Sequence, residues 1–190
     1  MAIVLASQSP RRQELLARIG VEDFKTLSLD IDESYPEGLS PEDTVRYIAK
    51  KKCDAAAALC SPDDLIITAD TMVFLDNDRL GKPRDEEDAL RMLRELAGRG
   101  HTVCTGVSVR CGETSELFAV STRVFFRPMT DDEIRAYIKT GEPMDKAGAY
   151  GVQSRGALFV ERIDGDFFNV MGLPVEQLGL VLARFGVKLL

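Results

Sequence analysis

Ile3-Val4-Leu5-Ala6-Ser7-Gln8-Ser9-Pro10-Arg11-Arg12 passes from a short apolar run, through a hydroxyl-bearing loop, into a helical pattern at Leu15, Leu16 and Ile19. That order predicts a strand, a tight loop and a helix, with Ser9 as N-cap and Pro10 at the first helical position. Two guanidinium groups in the first helical turn run against local preference, because a helix N-terminus already carries partial positive charge. Each exposed cation there costs about 0.3–1 kcal/mol. An anion at the site offsets that cost, since free N–H groups, serine hydroxyls and guanidinium forks all hold phosphate. The plainer alternative is a solvated helix start with two surface arginines.

Working outward, residues 25–29 read as a strand and Asp30-Ile31-Asp32-Glu33 as an acidic loop. Ser40-Pro41-Glu42-Asp43 opens a helix through Val45, Ile48 and Ala49, with Asp43 placed for a capping box. Residues 65–69 form an apolar strand that Asp70-Thr71 interrupts and residues 72–75 resume, before the turn Asp76-Asn77-Asp78. Gly81-Lys82-Pro83 is a loop and residues 86–96 an amphipathic helix stopped by Gly98. Residues 102–109 and 117–126 flank the turn Cys111-Gly112-Glu113-Thr114, predicting an antiparallel hairpin. Thr130-Asp131-Asp132-Glu133 is a capping box for a helix ending at Gly141. A glycine-rich loop, Gly148-Ala149-Tyr150-Gly151, leads to a strand at 158–163, and the chain closes with a helix from Pro174 to Phe185 and a short strand. Mixed strands and helices with an antiparallel hairpin predict an α/β fold with a mixed sheet, in one domain over residues 1–190.

Hydrophobic residues at 45% and charged residues at 29% describe an ordinary globular chain and exclude disorder. A net charge of −7 argues against nucleic acid and anionic membrane as partners, so cations gathered at particular loops point to a local anion site. The longest apolar stretch, 65–75, is broken by Asp70 and cannot span a bilayer. Cys53, Cys60, Cys104 and Cys111 form no CxxC pair and His101 is the sole histidine, which disfavours zinc and suits reduced thiols in a cytoplasmic protein.

Asp70 is the most informative acidic residue, because it interrupts a strand whose only other polar residue is Thr68. A carboxylate at a strand end holds Mg²⁺ or takes a proton from an attacking water; otherwise it caps the turn. Glu33, alone, is a surface-loop acid. Lys52, within Lys50-Lys51-Lys52, reads most simply as a solvated helix face, whereas Lys82 sits in a rigid loop that can aim it at a ligand. The spacing is not that of a P-loop, and no serine lies in a GxSxG turn. Cations at Arg11, Arg12, Lys52 and Lys82 together with the carboxylates suit a metal-bound polyphosphate.

The chain resembles the Maf family of nucleoside triphosphate pyrophosphatases over essentially its whole length. The resemblance rests on Ala6-Ser7-Gln8-Ser9-Pro10-Arg11-Arg12, Asp32-Glu33-Ser34, Ala69-Asp70-Thr71 and Gly81-Lys82-Pro83. It continues through Thr105-Gly106-Val107, Gly141-Glu142-Pro143-Met144-Asp145-Lys146-Ala147-Gly148-Ala149-Tyr150-Gly151-Val152-Gln153 and Asn169-Val170-Met171-Gly172-Leu173-Pro174. It implies an elongated, twisted mixed sheet flanked by helices with a ligand cleft, and hydrolysis between the α- and β-phosphates to a monophosphate and pyrophosphate. It further implies Asp70 as general base, with Glu33 and Asp70 holding Mg²⁺ or Mn²⁺. Ser7, Arg11, Arg12, Lys52 and Lys82 are implied to bind the triphosphate, and Arg12, Thr71 and Gln153 to select the base. The stretch from Asp145 to Gln153 resembles the branch acting on dTTP and UTP, and a glutamine amide suits the O4 and N3–H edge of uracil or thymine. Ser154 and Cys53 depart from the common pattern, which has glycine and alanine there. A homodimer is the family's common assembly. The competing readings are the same reaction on 7-methyl-GTP or inosine triphosphate, and a septum-formation regulator that binds nucleotide without turnover.

Overall fold

The computed structural model describes residues 1–76 and 78–190. In chain order the elements are β1 (Ile3–Leu5), α1 (Pro10–Arg18), β2 (Phe24–Thr26), α2 (Pro41–Ala57), β3 (Leu65–Leu75), β4 (Asp78–Leu80) and α3 (Glu86–Leu96). There follow β5 (Gly100–Cys111), β6 (Thr114–Phe126), α4 (Asp131–Ile138), β7 (Val160–Asp164), α5 (Phe167–Met171) and α6 (Val175–Arg184), with 3-10 turns at Glu142–Asp145, Ala147–Ala149 and Arg155–Phe159. The strands make one mixed sheet in the order β2-β1-β3-β5-β6-β7, with β4 on β3. The mixed α/β class read from the sequence is the one observed.

The chain forms two compact units. One comprises Met1–Asp70, Thr105–Val120 and Gly172–Leu190; the other comprises Thr71–Cys104 and Ser121–Met171. In the first, β1 pairs in parallel with β2 and β3, in the register Leu5↔Thr26 and Leu5↔Ile67. The parallel trio places the loops after β1 and β2 at its C-terminal edge, where open α/β sheets bind ligands. Helix α2 lies on this trio through Cys53 and Ala56, which pack with Ala6 and Ile66. The Thr68 hydroxyl donates to the Ala49 carbonyl at 2.7 Å, and a Cβ on Gly106 would stand 2.3 Å from the Val45 carbonyl oxygen. Only glycine allows β5 to lie that close to the α2 backbone.

In the second unit, α3 covers the residues its amphipathic pattern predicts and α4 starts at its predicted capping box. Asp85 accepts from the Asp88 N–H, and Thr130 and Glu133 complete a reciprocal capping box. An aromatic core joins His101 on β5, Phe126 on β6 and Tyr150, with ring centroids 4.7–5.4 Å apart, all edge to face. The His101 Nε2 is 2.8 Å from the Tyr150 hydroxyl, a partner that the sequence does not reveal.

Four readings need correction. Strand β3 runs unbroken for eleven residues, so Asp70 stands inside it instead of ending it. Its side chain is answered by Lys52, and a paired carboxylate leaves the backbone ladder intact. The closing strand does not form: the Val187 N–H turns back to the Leu182 carbonyl, and residues 187–190 join no strand. Strand β2 is shorter than residues 25–29, and at α2 the Ser40 hydroxyl donates to the Asp43 carboxylate while accepting from its N–H. The turn read at Asp76-Asn77-Asp78 includes Asn77, which lies outside the described residues.

Candidate active site

Ser7 follows β1 directly. The Ala6 N–H continues the ladder to the Ile67 carbonyl, and the Ser7 N–H closes on the Leu5 carbonyl at 2.9 Å. The Ser7 hydroxyl then accepts from the Ser9 N–H at 3.2 Å and from Arg12 Nη1 at 3.5 Å. Ser9 occupies the N-cap position of α1, but its side chain makes no capping bond, so the cap read from sequence holds in position and not in chemistry.

Arg12 is aimed by a residue that sequence reasoning gave no role. Its Nε donates to the Gly172 carbonyl at 2.8 Å, across 160 residues. Burial pushes the Arg12 guanidinium below its ordinary pKa, Asp70 and Glu33 pull it back up, and the adjacent Arg11 charge pushes it down again. Arg12 therefore lies within the field of both carboxylates, and Arg11 extends the cationic first turn of α1.

Lys52 ties the carboxylates together. Its Nζ lies 2.8 Å from Asp70 Oδ1 and 2.8 Å from Glu33 Oε1. The helical spacing explains its reach: Ile48, Ala49, Cys53 and Ala56 bury one face of α2, and Lys52 sits on the rim of that face with its side chain 14% exposed. Asp70 is buried, and its Oδ2 has no hydrogen-bond partner among the described residues. Buried carboxylate oxygens are ordinarily paired, so this oxygen suits a donor or cation from outside the chain.

The first unit thus brings Ser7, Arg11, Arg12, Glu33, Lys52 and Asp70 to one place. The other predicted residues belong to the second unit. Thr71 is half-buried on β3, and Lys82 is exposed in the loop between β4 and α3. Gln153 is exposed after the 3-10 turn at Ala147–Ala149. Within that unit the Gly148 N–H donates to the Gly81 carbonyl at 3.1 Å, joining the Lys82 loop to the segment that leads to Gln153.

The donor set suits a divalent cation. Mg²⁺ takes one or two carboxylates and leaves its remaining positions to water and phosphate oxygens. Glu33 and Asp70 supply two carboxylates, the ammonium of Lys52 already marks a cation position between them, and Asp70 Oδ2 is open. Among the described residues there is no cluster of three or more metal-ligating side chains, so substrate oxygens would complete the coordination.

The mixed α/β fold thus carries guanidinium and ammonium groups beside two carboxylates, a donor set suited to an anionic ligand. A family model described as Maf-like protein matches residues 2–185, and the chain belongs to that family. A dTTP/UTP pyrophosphatase of Bacillus velezensis is 47% identical over 186 residues, covering 98% of this chain and 97% of that protein. One from Dictyoglomus turgidum is 48% identical over 193 residues, covering 99% and 98%. Among solved structures, a HAM1 protein from Coxiella burnetii shares the fold with a TM-score of 0.52 at 12% identity, covering 97% of this chain and 99% of that one.

Proposed function

We propose that this protein hydrolyses dTTP and UTP to the monophosphate and pyrophosphate, with residues 1–190 working as a single Maf-like nucleotide pyrophosphatase domain. The observation that carries the proposal is the Asp70–Lys52–Glu33 cluster beside Arg12, supported by the dTTP/UTP pyrophosphatase names of relatives at 47–48% identity.

Ser7 and the Arg11–Arg12 pair bind phosphate oxygens at the start of α1, and Lys82 adds a further cation. Asp70 Oδ2 accepts the proton of the water that attacks the α–β phosphoanhydride. Lys52 moves its ammonium from the carboxylates onto a phosphate oxygen, neutralising charge that grows during bond breaking. Glu33 and Asp70 would hold Mg²⁺ or Mn²⁺, which supplies charge neutralisation at the triphosphate. Arg12, Thr71 and Gln153 select the base, the Gln153 amide offering both a donor and an acceptor to a pyrimidine. The protein acts as a homodimer in the cytoplasm and does not engage nucleic acid; among the described residues no helix is long and apolar enough to cross a membrane.

The test is pyrophosphate release from a panel of dTTP, UTP, GTP, 7-methyl-GTP and inosine triphosphate, with and without Mg²⁺. Metal-dependent release led by dTTP and UTP is the expected result. Saturable nucleotide binding without product, or a purine leading the panel, overturns the proposal.

A further inference from the structure

Glu142 opens the 3-10 turn Glu142–Asp145 and gathers a hydrogen-bond network that the pyrophosphatase chemistry does not use. Its Oε1 accepts from the Tyr137 hydroxyl at 2.8 Å, the Ser154 hydroxyl at 2.6 Å and the Gly156 N–H at 3.2 Å. Its Oε2 accepts from the Arg155 N–H at 3.3 Å, and its backbone carbonyl accepts from Lys146 Nζ at 2.7 Å. The Tyr137 hydroxyl, in turn, accepts from the Gly151 N–H at 3.1 Å. One carboxylate therefore holds the chain on both sides of Gln153, reaching Gly151 through Tyr137 and Ser154, Arg155 and Gly156 directly.

The segment is pinched as well as tethered. A Cβ on Gly156 would stand 2.6 Å from the Gly151 carbonyl oxygen and 2.8 Å from the Tyr137 hydroxyl oxygen. The backbones at 151 and 156 thus close on each other, and Gln153 is exposed at the middle of the bend between them. Just upstream, buried Ala149 holds a left-handed backbone with φ 59°, which persists only where surrounding contacts enforce it. Ser154 is one of the donors to Glu142.

We infer that Glu142 is a positioning residue for pyrimidine selection, fixing through Tyr137, Ser154 and the 155–156 backbone the bend that presents the Gln153 amide. The inference rests on the proposed role of Gln153 in base selection. A glutamine side chain reads a base edge only when its backbone is held, because each loose torsion spreads the amide over competing orientations. Four hydrogen bonds to one carboxylate supply that rigidity.

The experiment compares E142A, S154G and Q153A for hydrogen exchange at residues 151–156 and for kcat/KM on UTP against GTP. In E142A the amides of Gly151, Arg155 and Gly156 exchange faster, and the UTP preference falls about tenfold through a higher KM with kcat largely kept, as loss of several orienting bonds predicts. S154G removes one donor and leaves the others, so it folds and loses about two- to threefold of the preference. Q153A loses the preference with exchange at 151–156 unchanged. If Q153A loses the preference while E142A and S154G keep it, the positioning role is overturned and the reading of Gln153 stands. If Q153A keeps it, the reading of Gln153 fails and the inference falls with it. A change confined to kcat in E142A also overturns the inference.

Discussion

The ammonium of Lys52 on α2 sits 2.8 Å from Oδ1 of Asp70 on β3, joining residues 18 apart in sequence. This contact accounts for a carboxylate inside a largely apolar strand, since an ionised group away from water is tolerated only beside a counter-charge. The second oxygen, Oδ2, meets no hydrogen-bond partner among the described residues.

Replacing Asp70 by Asn keeps the shape and an oxygen for Lys52, while Glu33 remains as counter-charge. The fold should therefore survive with stability within about 1 kcal/mol of wild type. Turnover should fall by at least about 10³-fold, because an amide does not take a proton from water. Thermal unfolding and pyrophosphate release check the two halves separately; near-normal turnover would remove Asp70 from the role of base.

Lys52→Met should cost stability as well as turnover. It removes the hydrogen-bonded counter-charge of buried Asp70 and leaves it the more diffuse field of Arg12; breaking a buried pair typically costs about 3–5 kcal/mol, reduced here to about 2–3 because Arg12 remains and Lys52 keeps some solvent contact. Denaturant unfolding should show that loss, and the double variant K52M/D70N should recover most of it.

Gly106→Ala places a methyl group against the Val45 backbone, which has no flexible end to yield. We expect a loss of about 2–3 kcal/mol. Any shift of α2 moves Lys52, so kcat should fall alongside the melting temperature. An unchanged melting temperature would mean that β5 and α2 are not in the contact described.

His101 provides a pH signature. Burial pushes its pKa from 6.5 down to about 4, so the folded protein resists a proton that the unfolded chain accepts. Stability is then full above pH 6.5 and declines as pH falls towards 4, by at most about 3 kcal/mol. His101 is the only histidine, so the slope between pH 5 and 6.5 should flatten in H101Q, whose amide can still meet the Tyr150 hydroxyl. Unfolding free energies at half-unit pH steps measure this.

Local rules recovered the elements whose signals are local. Helix α3 runs over the residues that its amphipathic pattern marks, and α4 begins at its capping box, because caps and 3.6-residue periodicity act within one or two turns. They failed at Asp70, where a mid-strand carboxylate reads as a breaker until its partner on a distant helix is known. They failed again at the C-terminus, where apolar residues after α6 look like a strand but find no strand to pair with among the described residues.

The residue types for phosphate chemistry, the order of the elements and the family were therefore decided by the chain's linear pattern. Folding alone decided which charges meet: that Lys52 leaves its solvated face for Asp70 and Glu33, that the Gly172 carbonyl aims Arg12, and that Glu142 braces the bend around Gln153. Hydrogen bonds and ion pairs act over a few ångströms, and those distances between remote residues exist only once the sheet has set its register and the helices have packed upon it.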